Sequence, residues 1–277
     1  MSEASAPLSR WGLGALVVCA SCALPAAESP LESSTSPTHL VAPAQVDLSR
    51  APLAPGNETL KVSVAGQGER QLEVSVPEGP GPHPLAIFLH GAGPAARYLH
   101  GVIECLVAPG LEVLHPVILA PLSSSQGQWW TEADTAFVLG LVEAARARWP
   151  LQPQHTVLIG YSNGGIGTWF FARQYPASFS AAIPMAANDT IMGPTPLPVY
   201  AIQGTKDELF PIESVRLAVG RLQAQGQNVT LHEKYRGSHM KACSYVPELE
   251  AASEWLSTRV WNAAPGASNA PGAAVAH

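Results

Sequence analysis

The chain has 277 residues, 47% of them hydrophobic and 13% charged, which is enough for one self-sufficient core of roughly 200 to 250 residues plus tails. Lys and Arg number 15 against 21 Asp and Glu, a formal net charge of -6 with no basic run. That balance excludes nucleic acid as a partner, because phosphate binding needs a concentrated positive patch.

From the N-terminus, Arg10 precedes an apolar stretch from Trp11 to Ala20, followed by Ser21-Cys22-Ala23-Leu24-Pro25-Ala26-Ala27. A basic residue, a short apolar segment and small residues in that order read as an export signal over residues 1–27. The stretch is shorter than the roughly 20 apolar residues that a membrane span requires. A lipoprotein signal is the alternative, so a membrane partner is expected only through lipid on Cys19 or Cys22. The expected location is secreted or periplasmic, or lipid-anchored in the alternative. Removing the signal leaves Cys105 and Cys243, and an even cysteine count in an exported protein favours a disulfide over two separate buried thiols. No Cys/His spacing suits zinc, so neither a metal nor a cofactor is expected.

Residues 28–58 are rich in Pro, Ser, Thr and Ala and read as a flexible spacer. Residues 263–277 have tail composition. The catalytic or binding domain is therefore expected over 59–262. Leu60 to Val64 and Gln71 to Val76 alternate apolar with polar residues around Gly66-Gln67-Gly68, which predicts a hairpin of half-exposed strands. Continuously apolar runs follow at Leu85 to Leu89, Pro116 to Ala120, Thr156 to Ile159, Ala181 to Ala186 and Val199 to Ile202, as in strands buried on both faces. Helical spacing separates them at Ala133 to Trp149, Gly165 to Tyr175, Ile212 to Gln225 and Glu248 to Val260. Strands alternating with helices predict a doubly wound α/β sheet with an antiparallel hairpin at its leading edge. Ligands on such sheets gather at the carboxyl ends of the strands.

One of those ends carries Gly160-Tyr161-Ser162-Asn163-Gly164, where a buried strand runs through a sharp turn into a helix. Glycines permit the turn, and the turn lifts the Ser162 hydroxyl above the sheet beside free helix amides. A serine needs a base to become nucleophilic. Of nine histidines, His239 lies in a loop after the final strand and ahead of the last helix, where a base can return to the sheet. An acid that orients it should follow an intermediate strand. Asp207, after Val199 to Ile202, is the preferred candidate, Asp189 the rival, and Glu208 a third. The Asn163 amide, with the Ala92 or Gly91 amide of His90-Gly91-Ala92-Gly93, would receive a developing oxyanion. His90 reads as a brace for that loop. Trp129, Trp130 and Trp169 near the expected cleft read either as a stacking surface for substrate or as packing of the loop on the next helix.

Together, His90-Gly91-Ala92-Gly93, Gly160 to Gly165, Gln203-Gly204-Thr205-Lys206-Asp207 and Gly237-Ser238-His239 resemble the successive landmarks of the α/β-hydrolase serine esterases. The likeness spans about residues 60–260 and is nearest the phospholipase/carboxylesterase and polyhydroxybutyrate depolymerase/feruloyl esterase branches. It implies the α/β-hydrolase fold, a mostly parallel sheet with an antiparallel leading hairpin and helices on both faces. It also implies Ser162, Asp207 and His239 as a triad and Asn163 and Ala92 as oxyanion donors. Asn163 stands where many relatives carry Met or Gln, which alters the pocket wall and leaves the backbone donor in place. In that fold the first and last helices cover one face of the sheet. The resemblance thus brings Cys105 and Cys243 together as a disulfide beside the histidine loop.

The implied activity is hydrolysis of a small-molecule or polymeric carboxylic ester through an acyl-enzyme. Peptide or amide hydrolysis by the same triad is the alternative, and a catalytically silent binding domain is a further one.

Overall fold

The computed structural model describes residues 40–93, 98–189 and 193–262. Its eight strands are β1 (Gly56–Val64), β2 (Gly68–Val76), β3 (His83–Leu89), β4 (Val117–Pro121), β5 (Leu151–Tyr161), β6 (Ala181–Met185), β7 (Val199–Gly204) and β8 (Val229–Lys234). They form one sheet in the order β1-β2-β4-β3-β5-β6-β7-β8. The hairpin β1–β2 is antiparallel, β2 meets β4 antiparallel, and every later pairing is parallel.

The helices are α1 (Leu99–Val102), α2 (Ala108–Gly110), α3 (Glu132–Arg148), α4 (Asn163–Gln174), α5 (Ile212–Ala224) and α6 (Val246–Trp255). A π-helical segment, Ile103–Val107, joins α1 to α2. Gly101 and Pro109, both poor helix formers, lie within this short helical stretch, which explains why its period is faint in the sequence.

The period of two within each buried strand sorts its side chains between the two faces. Leu85, Ile87 and Leu89 of β3 enter one core, with Phe137 and Leu141 of α3, Phe171 of α4 and Val219 of α5. Ala86 and Phe88 enter the other, with Leu99 and Leu106 beside Leu249 and Leu256. The first and last helical segments thus share a face.

Within its described part, the spacer expected over residues 28–58 differs. Val46 bridges to Val64, and the Ala44 amide donates to the Ala136 carbonyl at 2.9 Å. Val46, Leu48 and Ala51 are buried, Arg148 donates to the Ala51 carbonyl, and Trp149 Nε1 donates to the Pro52 carbonyl at 2.9 Å. Hydrogen bonds to its main-chain groups, from backbone and from the Arg148 and Trp149 side chains, and a few apolar residues hold the segment, and neither leaves a periodic mark in the sequence. The export signal, Cys19, Cys22, residues 28–39 and the 263–277 tail lie outside the described residues. Among the described residues no helix is long and apolar enough to cross a membrane.

Candidate active site

β5 ends at Tyr161 and α4 begins at Asn163, so a single residue makes the turn. Ser162 has φ 57° and ψ -122°, a left-handed conformation that an L residue adopts only under constraint from its surroundings. Those surroundings are tight. A Cβ on Gly160 would collide with the Gly164 carbonyl oxygen, and one on Gly164 with the Leu89 carbonyl oxygen, so only glycine fits either flank. The Ser162 amide donates to the Met185 carbonyl at 3.0 Å, which fastens the turn to β6.

The His239 imidazole reaches this turn from the loop after β8. Its Nε2 stands 2.9 Å from Ser162 Oγ, and its Nδ1 stands 2.9 Å and 3.1 Å from Asp207 Oδ2 and Oδ1. Asp207 follows β7 and also accepts the Leu209 and Phe210 amides at 2.9 and 2.8 Å. Burial alone would raise the Asp207 carboxyl, but hydrogen bonds from His239 and these two amides hold it below the ordinary aspartate value. Its negative charge therefore faces Nδ1–H of the imidazole. Asp189 is engaged elsewhere: the Arg173 guanidinium pairs with it, and Arg173 Nε donates to the Gly193 carbonyl. Glu208 holds the histidine loop, accepting from Ser238 Oγ at 2.7 Å and from the His239 amide at 2.8 Å.

No protein-family model matches the chain. The chain is 28% identical over 243 residues to a protein named "Putative esterase NocK" from Nocardia uniformis subsp. tsuyamanensis, covering 78% of this chain and 68% of that one. Its structure is similar to that of a thermostable esterase (TM-score 0.57, 24% identity), covering 73% of this chain and 62% of the other, so it spans less than two thirds of that protein. It is also similar to FphF, a fluorophosphonate-binding serine hydrolase of Staphylococcus aureus (TM-score 0.59, 14% identity), over 73% of this chain and 99% of the other. The chain has the α/β-hydrolase fold.

On this α/β-hydrolase sheet the loop after β3 lies against the Ser162 turn. A Cβ on Gly91 would stand 3.1 Å from Ser162 Cβ and 3.6 Å from its Oγ. Ala92 is exposed beside it, and the Asn163 amide opens α4, where first-turn N–H groups have no acceptor within the helix. His90 braces this loop. Its Nδ1 is 2.6 Å from the Gly91 carbonyl, and its Nε2 accepts the Ser123 amide at 3.0 Å. Burial lowers its basicity, partly offset by the Gly91 carbonyl and Asp134, so His90 is a neutral brace.

Cys105 and Cys243 form a disulfide across the α/β-hydrolase face shared by α1 and α6, with Cα atoms 5.2 Å apart. Trp129 and Trp169 are both buried, which removes them as stacking surfaces, and Trp130 is exposed. Trp129 lies against Gly167 and donates Nε1–H to the His90 carbonyl at 2.9 Å, so it packs the loop on α4.

Sequence reasoning missed Tyr161, whose hydroxyl donates to the His239 carbonyl at 2.7 Å. It also missed Asp134, buried in the first turn of α3. Thr131-Glu132-Ala133-Asp134 resembles a helix N-terminal signature, and Thr131 does cap α3 by accepting the Asp134 amide at 3.4 Å. The Asp134 carboxylate turns instead to the serines after β4, a partner that no local pattern reveals.

Proposed function

We propose that this chain is a serine hydrolase that cleaves carboxylic esters through Ser162, His239 and Asp207. The carrying observation is the unbroken line from Ser162 Oγ through His239 to Asp207, with 2.9 Å on either side of the imidazole. Likeness to the protein named "Putative esterase NocK" and to a fluorophosphonate-binding serine hydrolase supports the same reading.

His239 Nε2 takes the Ser162 proton as Oγ bonds to the substrate carbonyl carbon, and the carbonyl electron pair moves onto oxygen. The Asn163 and Ala92 amides receive that oxyanion, and the dipole of α4 favours negative charge at its N-terminus. Collapse breaks the bond to the alcohol, which leaves with the proton held by His239. Water then attacks the acyl-enzyme by the same route, and the acid is released with Ser162 restored. Asp207 holds the Nδ1–H tautomer and stabilises the imidazolium formed in each half-reaction.

The Cys105–Cys243 disulfide suits an oxidising compartment, which supports reading residues 1–27 as an export signal. The substrate is read as a small-molecule or polymeric ester. Labelling with a fluorophosphonate probe, beside assays on short-acyl esters and matched peptides, tests the proposal. Wild-type protein should label and hydrolyse the esters faster than the peptides, and Ser162→Ala should do neither. Undiminished labelling of Ser162→Ala would refute it.

A further inference from the structure

A second polar system lies behind the candidate oxyanion loop and touches none of the reacting groups. At its centre Asp134 is fully buried. Its Oδ1 accepts Arg70 Nη2 at 2.5 Å, the Ser124 amide at 2.9 Å and Ser124 Oγ at 3.1 Å. Its Oδ2 accepts Ser125 Oγ at 2.5 Å, Ser123 Oγ at 2.8 Å and the Ser125 amide at 3.3 Å. The loop after β4 therefore wraps consecutive serines around one carboxylate. A buried charge is tolerable only when paired and hydrogen-bonded, and here both conditions hold.

This anchor continues toward the reaction centre. Ser123 Oγ, held by Asp134, also accepts the Gly127 amide at 2.8 Å. Gly127 packs on the Gly91 carbonyl, since a Cβ there would lie 2.9 Å from that oxygen. The Ser123 amide donates to His90 Nε2, which makes Nε2 the acceptor nitrogen and leaves the ring proton on Nδ1 for the Gly91 carbonyl. Trp129 holds the other side of His90, with ring centroids 4.9 Å apart. The Gly91 carbonyl is thus gripped by His90 and flanked by Gly127. In a trans peptide the C=O and N–H of one unit point in opposite directions, so gripping the Gly91 oxygen aims the Ala92 N–H away from His90.

We propose that Asp134 is a positioning residue for the reaction: through Ser123 and His90 it fixes the Gly91–Ala92 peptide as an oxyanion donor. The inference rests on the ester hydrolysis proposed above. It separates the acid that serves the base, Asp207, from an acid that serves the oxyanion loop.

The test compares wild type, Asp134→Asn and Ser123→Ala on a short-acyl 4-nitrophenyl ester and on its thiono counterpart, in which C=S replaces C=O. Sulfur is a weak hydrogen-bond acceptor, so the thiono ester draws little from the oxyanion amides. With a preorganised donor misaimed, kcat on the oxygen ester should fall on the order of tenfold to a hundredfold, with KM within about twofold. The thiono ester should lose far less, so the oxygen-to-sulfur rate ratio should fall by nearly the same factor as kcat. The double variant should lose little more than the worse single one, because both act on one path. A merely structural role would slow both substrates equally, and an unchanged ratio in a folded variant overturns the relay. Ser123→Ala keeps the Arg70–Asp134 pair and decides the matter if Asp134→Asn fails to fold. Wild type inactive on both esters would refute the hydrolase reading itself, and active wild type with an unchanged variant ratio refutes only the relay.

Discussion

The hydroxyl of Tyr161 donates to the backbone carbonyl of His239 at 2.7 Å, tying the strand end before Ser162 to the loop that presents the imidazole. Burial, with Tyr245 and Asp207 nearby, keeps this hydroxyl protonated well above the ordinary tyrosine range, so it acts as a donor throughout. Tyr161→Phe leaves the His239 carbonyl buried without its donor, which should cost about 1–3 kcal/mol of stability. Urea unfolding reads that loss, and steady-state kinetics should show kcat falling with little change in KM. A variant equal to wild type in both would show that the tie is incidental.

The two aspartates that compete in the sequence should separate cleanly by kinetics. Asp207→Asn disturbs the His239 tautomer, and kcat on an ester should fall on the order of ten-thousandfold in protein that remains folded. Asp189→Asn breaks the pairing with Arg173, where removing one partner of a buried ion pair costs about 3–5 kcal/mol. Its Tm should drop while kcat of the folded fraction stays near wild type. The reverse assignment of the two effects would eliminate Asp207 as the orienting acid.

Acid should weaken the fold through two carboxylates. At Asp134, burial pushes upward, but the serines after β4 and Arg70 outweigh it, and Asp207 is likewise held below its ordinary value of 3.8. A carboxyl depressed in the folded state stabilises the protein fully above its unfolded value. That contribution is lost as pH falls through the folded value. The urea midpoint should therefore hold steady on this account above about pH 5 and decline below about pH 4. Asp134→Asn should start lower and show a shallower acid decline. An equally steep decline in that variant would mean that other groups dominate.

The disulfide joins the π-helical segment of Ile103–Val107 to the turn just after His239. Closing a chain separation of 138 residues restricts the unfolded state strongly, and its loss should cost about 3–5 kcal/mol. Cys105→Ser with Cys243→Ser should lower Tm and also reduce kcat, since the link steadies the loop that carries His239. Loss of stability at unchanged kcat would confine the disulfide to a structural role.

Sequence alone determined the elements whose information is local. Apolar runs mark the strands buried on both faces, and alternation marks the β1–β2 hairpin, because side chains along a strand face opposite sides by geometry. The turn at Ser162 is equally legible, since the collisions that demand Gly160 and Gly164 lie within the turn or against the adjacent β3. Fold class followed from the alternation of strands and helices.

Tertiary structure decided whatever depends on which chain ends meet. Asp207 and Asp189 both follow strands, and only the placement of β7 and β8 brings the Asp207 carboxylate to His239 while Arg173 takes Asp189. The packing of residues 40–55 rests on hydrogen bonds to the segment's own main chain, some from the distant side chains of Arg148 and Trp149, and on a few scattered apolar residues, so spacer-like composition concealed it. The burial of Trp129 and the gathering of Ser123, Ser124 and Ser125 around Asp134 have the same origin. A polar residue's partner across the fold is set by three-dimensional proximity, and no period along the chain encodes it.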